Sequence, residues 1–246
     1  MAESEGIHSV ETAYSIVNAV AHHPSPMTMT AIAAKCGMSR SQLFRYLVTL
    51  QKTGFLQKDL AGRWSLGSEL IHLGLEASAR LSVQTIVQEH LVALRGATGE
   101  TVAVAIWGIH GPFFVQWLEG NNVVNVGVRA GTVLPLLKSA TGEIFTAFTD
   151  WALLCSVNAH TDQFDLTELE TVRDRVRQIG YSCTEGGYLP GLSAVSAPVL
   201  NSNGTLVAAL TVVGFQGSLE THPDSSVVRT LLNTCATMSR LLAYRK

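Results

Sequence analysis

The chain has 246 residues, of which 47% are hydrophobic and 15% charged, so it can build folded cores and is not of the highly charged, aromatic-poor class that stays disordered. A formal net charge of −2 excludes a general polyanion binder, but the charge is unevenly placed: residues 7–67 carry six Lys/Arg against two acids, and residues 81–246 carry ten against thirteen. A basic first module ahead of an acidic remainder is the footprint of a DNA reader with a separate control domain. Cys36, Cys155, Cys183 and Cys235 are scattered, with no CxxC and no Cys/His cluster at zinc spacing, so they read as reduced thiols with no metal role. The acidic start MAESEGIH has no apolar stretch of the signal-peptide kind. The longest apolar runs, such as Leu206–Phe215, fall well short of the ~20 residues that span a bilayer. A cytoplasmic chain with no membrane segment and no cofactor is expected.

In chain order, Ser9–His22 has apolar residues at Val10, Ala13, Ile16, Val17 and Val20, the helical period, with Ser9 as its expected cap and Pro24 and Pro26 beyond its end. Thr30–Lys35 reads as a short helix, Cys36-Gly37-Met38 as a tight turn, and Ser39–Leu50 as a second helix. Gly37 suits the positive φ of a helix C′ position, and the Ser39 hydroxyl suits an N-cap. Leu43, Leu47 and Leu50 point inward, while Arg40, Ser41, Gln42 and Arg45 crowd the helix start. That is a helix-turn-helix, whose second helix enters the major groove with its N-terminal residues on base edges. Gly54 ends this helix. Phe55-Leu56-Gln57 and Arg63-Trp64-Ser65-Leu66, around Asp59–Gly62, form a hairpin, hence a wing.

Ser68–Ala79 reads as a linker helix whose Leu70, Ile71, Leu73 and Leu75 need burial, for instance against a second copy of the chain. Ser82–Gly96 is a further helix. Strands follow at Thr101–Trp107, Phe113–Glu119 and Val123–Val128, then a loop through Arg129-Ala130-Gly131 and Leu134-Pro135-Leu136. A helix at Ser139–Thr149 opens with small, hydroxyl-bearing residues. Thr167–Ile179 is a charged helix, Tyr181–Cys183, Ala194–Leu200 and Thr205–Phe215 are strands, and Ser225–Tyr244 closes the chain as a helix. Antiparallel strands with helices on one side and at the ends make an α+β sensor-like domain. The expected boundaries are 7–67 for the winged module, 68–80 for the linker and 81–246 for the second domain.

The chain resembles the IclR family of bacterial transcription regulators over nearly its whole length. The resemblance rests on Gly62-Arg63-Trp64-Ser65-Leu66-Gly67 after the helix-turn-helix, then on Gly99-Glu100-Thr101-Val102, the Arg129–Gly131 and Leu134–Leu136 loop, Gly180-Tyr181 with Gly191-Leu192, and Ala197-Pro198-Val199 with Gly204 and Ala208-Ala209-Leu210. Their order and spacing together are specific. Leu137 stands where a His is common, Glu143 where a Lys follows the glycine, and Gln42-Leu43-Phe44 is less typical of the recognition helix. The resemblance implies a GAF-like effector-binding domain, assembly as a dimer or tetramer, and a small metabolite as effector, often a carboxylic acid. It also implies that backbone amides at Ala140 and Thr141 hold the effector carboxylate, with Thr184, Ala194, Thr211 and Val213 at other pocket positions.

The residues themselves assign DNA contact to Arg40, which suits guanine, to Gln42, which suits adenine, and to Arg45. Ser39 and Ser41 suit phosphate oxygens at a helix N-terminus. Tyr46 either packs or reaches the DNA backbone, and Arg63 on the wing suits a contact to phosphate or the minor groove. Ser139–Gly142 opens a helix whose free N–H groups and positive dipole end suit a carboxylate, although a plain N-cap explains it equally. Trp107, Trp117 and Trp151 read as core, with Trp117 the one to line a pocket. Thr184-Glu185-Gly186-Gly187 lacks the Lys and the spacing of a phosphate loop and reads as a turn. At the pocket positions that the resemblance supplies, apolar Ala194 and Val213 imply a larger, partly apolar acid. The expected partners are therefore a duplex operator with two half-sites, such an acid, and further copies of the chain. A small-molecule enzyme with an N-terminal interaction module is the alternative. It would draw on Thr141, or on Cys183 with His160 or His222, but no elbow motif or orienting carboxylate accompanies them.

Overall fold

The computed structural model describes residues 6–79, 84–121, 131–158 and 165–244. The chain divides into two compact units, Met1–Leu81 and Ser82–Lys246. The expected strand Val123–Val128, the Arg129-Ala130 pair and His160 lie outside the described residues.

The first unit contains α1 (His8–Ala21), α2 (Met29–Cys36), α3 (Arg40–Lys52), β1 (Leu56–Lys58), β2 (Trp64–Leu66) and α4 (Ser68–Ala79). Helix α1 starts one residue earlier than the sequence suggested. Ile7 is its N-cap and makes no side-chain cap, so Ser9 lies inside the helix and does not cap it. At α2 the Thr28 hydroxyl accepts the Ala31 N–H, and at the other end Gly37 turns the chain at φ 64°, a conformation a Cβ disfavours. The Ser39 hydroxyl accepts the Gln42 N–H and starts α3 immediately after the turn. Leu43, Leu47 and Leu50 of α3 close on Ile16 and Val20 of α1, Ile32 of α2, and Leu56 and Trp64 of the wing. The wing is a two-stranded antiparallel ribbon with Leu56 opposite Leu66. Met27 and Trp64 exchange both backbone hydrogen bonds, at 2.8 and 2.7 Å, and tie the ribbon to the segment before α2.

The second unit is built on a five-stranded antiparallel sheet. Its strands are β3 (Thr101–Gly108), β4 (Gly111–Leu118), β5 (Ser182–Glu185), β6 (Leu192–Leu200) and β7 (Leu206–Phe215), in the order β4-β3-β7-β6-β5. Helices cover both faces of the sheet and not one. On one face lie α5 (Gln84–Thr98) and α9 (Ser226–Tyr244), packed through Leu91, Leu94, Leu231 and Met238 onto Val102, Val104, Val195 and Val212. On the other lie α6 (Ala140–Phe148), α7 (Trp151–Asn158) and α8 (Leu166–Ile179), through Ile144, Phe145, Leu154 and Val176 onto Ala103, Ala105 and Ala209. The alternation along β3 explains the asymmetry. Its valines face α5 and α9, and its alanines face α6, where the lack of bulk lets that helix approach the sheet. Trp107, Trp117 and Trp151 pack against this second core and remain half-buried.

Candidate functional site

Two surfaces collect the residues singled out above, one in each unit. In the first unit, the N-terminal half of α3 is exposed at Ser39, Arg40, Ser41, Gln42 and Arg45, and Tyr46 is half-buried against the core. These residues are brought to one helix end because the apolar stripe Leu43, Leu47 and Leu50 turns the opposite side of α3 to solvent. Their side chains are not equally available. Arg40 donates from its guanidinium to the Thr30 hydroxyl at 2.8 Å, bridging the two helices of the motif, whereas no side-chain bond engages Arg45 within the described residues. The Ser39 and Ser41 hydroxyls lie 3.2 Å apart at the helix start. On the wing, Asp59 accepts the Arg63 amide at 2.8 Å through one carboxylate oxygen and the Arg63 Nε at 2.9 Å through the other. The guanidinium is thereby fixed through its Nε, and the Arg63 side chain remains half-exposed. The Arg63 amide and guanidinium hold the Asp59 carboxyl below the usual carboxylate range.

In the second unit, a cavity lies between the start of α6, β4 and the ends of β5, β6 and β7. Its walls include Trp117, Ala140, Thr141, Thr184, Ala194, Thr211 and Val213, so the seven residues suggested for a pocket line one space. The cavity is narrow, with about 40 Å³ open to the centre of a water-sized sphere. Phe114 and Trp117 meet edge to face with ring centroids 5.5 Å apart and form an aromatic wall. Phe114, Leu134, Tyr188, Leu189 and Leu192 also line it. Tyr188 and Leu189 arrive on the connection between β5 and β6, whose irregular sequence carries no periodicity that could have flagged them.

The polar end of the cavity is the first turn of α6. Ser139 donates to the Pro135 carbonyl at 2.8 Å and accepts the Gly142 N–H at 2.9 Å, so its hydroxyl is used within the fold. The N–H groups of Ala140 and Thr141, first in the helix, have no acceptor within it. Behind them runs a buried hydroxyl chain: Thr141 Oγ1 lies 2.7 Å from Thr211 Oγ1, Thr211 lies 3.0 Å from Ser196 Oγ, and Ser196 donates to the Leu210 carbonyl at 3.0 Å. A carbonyl only accepts and a hydroxyl has one proton. Ser196 therefore accepts from Thr211, and Thr211 from Thr141. Thr141 has spent its hydroxyl proton, and the donors at this corner are its backbone amide and that of Ala140. Among the described residues, no Lys, Arg or His lines the cavity.

One turn further along α6, Glu143 is buried, accepting from the Ser182 hydroxyl and from Arg175. Burial pushes its carboxyl up, and Ser182 and Arg175 pull it back only in part. A carboxyl with a higher pKa folded than unfolded binds its proton more tightly in the folded state. The stability it contributes is present below the ordinary carboxylate range and is lost as pH rises through the elevated value. Glu143→Gln, whose amide oxygen can accept the same two bonds, is expected to remove this part of the pH dependence and to be at least as stable as the parent at neutral pH. Urea midpoints across a pH series check this. Identical slopes for the two proteins would contradict it. Cys183, named in the enzyme alternative, is half-buried in β5, and burial raises its thiol, which is the wrong direction for a nucleophile at neutral pH.

The chain matches two models of one family: the IclR helix-turn-helix domain over residues 9–60, and the bacterial transcriptional regulator IclR C-terminal domain over residues 76–240. It is 21% identical over 247 residues to the HTH-type transcriptional regulator KipR of Bacillus subtilis, covering 96% of this chain and 97% of KipR. Among solved structures it is similar to Pseudomonas aeruginosa HmgR, with 30% identity, a TM-score of 0.62, and 97% and 99% of the two chains covered. An IclR homolog from Microbacterium hydrocarbonoxydans complexed with 4-hydroxybenzoate shares the fold at 18% identity, with a TM-score of 0.79 over 95% of this chain and 98% of that one. No helix among the described residues is long and apolar enough to cross a membrane. With family models matched along both units, the chain belongs to the IclR family of bacterial transcriptional regulators and carries a DNA-binding helix-turn-helix ahead of an effector domain.

Proposed function

We propose that this regulator senses a monocarboxylic acid with an aromatic or alkyl body and that the acid controls its hold on a two-half-site operator. The observation that carries the reading is the cavity itself, where two helix-start amides without helical acceptors stand beside an aromatic and aliphatic wall, with hydroxyls at Thr184, Tyr188, Ser193 and Thr211. A helix N-terminus stabilises a carboxylate through its N–H groups and dipole. Phe114, Trp117, Leu189, Ala194 and Val213 favour an apolar body for the rest of the ligand. The relative bound to 4-hydroxybenzoate, a small aromatic acid, supports the same class.

Control requires the acid to bind one arrangement of the assembled regulator better than another, since equal affinity for both shifts nothing. The exposed Ile71, Leu73 and Leu75 of α4 support pairing of two copies through that helix, which would set the distance between two recognition helices. Calorimetric titration of the full chain with benzoate-type acids and with glyoxylate tests the ligand class. The reading expects the aromatic acids to bind more tightly. Tighter binding of glyoxylate would overturn it.

A further inference from the structure

The recognition helix carries two large apolar side chains that the core does not use. Phe44 is 56% exposed and Val48 48% exposed, on the side of α3 away from Leu43, Leu47 and Leu50. Residues three and four apart are neighbours on a helix surface. Ser41, Phe44, Arg45 and Val48 therefore form one continuous strip, with Arg40 one turn before Phe44. The apolar faces of α1 (Ile7, Val10, Tyr14) and α4 (Ile71, Leu73, Leu75) belong to other helices and do not account for this pair. An exposed phenylalanine set between two arginines is not built for an apolar protein partner, which would have to desolvate both cations. It is suited to a surface that is apolar at one spot and anionic around it.

We propose that Phe44, with Val48 beside it, reads the C5-methyl groups of thymine in the operator's major groove. Of the four bases thymine alone presents a methyl there, and phenylalanine is among the side chains that contact it. The phosphates that flank the groove make its surroundings anionic, which suits an apolar side chain set between two cations. Phe44 and Val48 lie four residues apart, about 6 Å along the helix axis. Two methyls on neighbouring base pairs, stacked about 3.4 Å apart, come within reach of the pair. Arg45 and Gln42 then specify purines, and Phe44 fixes where thymine must stand relative to them. This assignment rests on α3 being the recognition helix and adds a residue to it that polar donors and acceptors do not reveal.

The test uses the full chain and an operator enriched by it from a random duplex library. Each thymine of that site is replaced in turn by deoxyuridine, which keeps every hydrogen-bonding group and removes only the methyl. Binding is read by fluorescence anisotropy for the parent, Phe44→Ala and Phe44→Leu. One or two positions per half-site are expected where deoxyuridine weakens the parent roughly fourfold, the worth of one buried methyl-sized group. At those positions Phe44→Ala should show no further loss, and Phe44→Leu should keep the sensitivity. An enriched operator with no methyl-sensitive position overturns the proposal and leaves α3 as the recognition helix. No enriched sequence at all overturns both. A Phe44→Ala protein that keeps full methyl sensitivity but changes its oligomeric state, by light scattering, overturns the proposal in favour of a contact between copies. Phe44 is exposed, so thermal melting of the variant should match the parent.

Discussion

Gly142→Ala is expected to abolish effector binding and to destabilise the second unit by about 3 kcal/mol, the upper part of the overpacking range. A Cβ at this position would lie 2.0 Å from the Pro135 carbonyl oxygen and 2.8 Å from the Leu136 Cα, both backbone, so no side chain can swing aside. The first turn of α6 rests directly on the Leu134–Leu136 loop. Ser139 and Thr146 pin that loop further by donating to the Pro135 and Leu136 carbonyls. Adding one methyl must push the helix start off the loop, and Ala140, Thr141 and Leu134 then no longer share a cavity. Urea denaturation measures the stability loss, and calorimetry with an acid that binds the parent measures the site. A variant that melts like the parent and still binds the acid would show that α6 is not seated as described.

Arg45→Ala is expected to have the complementary effect. Arg45 is exposed on the outer strip of α3 and makes no side-chain hydrogen bond within the described residues, so its removal costs little folding energy. A bidentate base contact is worth about 1–3 kcal/mol, so operator affinity should fall roughly 10- to 100-fold per half-site. Affinity for the acid should be unchanged. Anisotropy with the enriched operator and calorimetry with the acid check the two halves of the statement. Parent-like operator binding would remove Arg45 from the interface.

Much of this was readable along the chain, and the reason differs by element. The helix-turn-helix is written in local signals. Gly37 marks the turn, Ser39 caps α3, and the Leu43, Leu47 and Leu50 stripe sets its buried side, all within one short span. The two-sided cover of the sheet is less visible, because it depends on which strands pair. The order β4-β3-β7-β6-β5 joins β3 to a partner more than a hundred residues away. Helix α7 is absent from the expected elements, although Asp150, whose carboxylate accepts the Ala152 N–H at 2.9 Å, is a helix-start signal that the sequence does carry. The Arg40–Thr30 bond and the Thr141–Thr211–Ser196 chain link residues brought together only by folding. Thr184, Ala194, Thr211 and Val213 follow from family likeness, whereas Trp117 and the Ser139–Gly142 helix start are legible in the residues themselves. Ser9 lost its expected place as a cap because α1 begins one residue sooner, a shift of the size by which helix ends ordinarily vary.

Among the described residues the cavity in the second unit has no cation in its walls, whereas the first unit carries the basic excess. The two activities should therefore respond differently to ionic strength. Operator binding releases counterions from DNA and weakens steeply as salt rises. A carboxylate held by helix-start amides in an apolar enclosure is screened much less. As the medium becomes more saline, occupancy of the sensor should hold nearly constant while occupancy of the DNA declines, so a change in salt would release the operator without altering what the regulator senses.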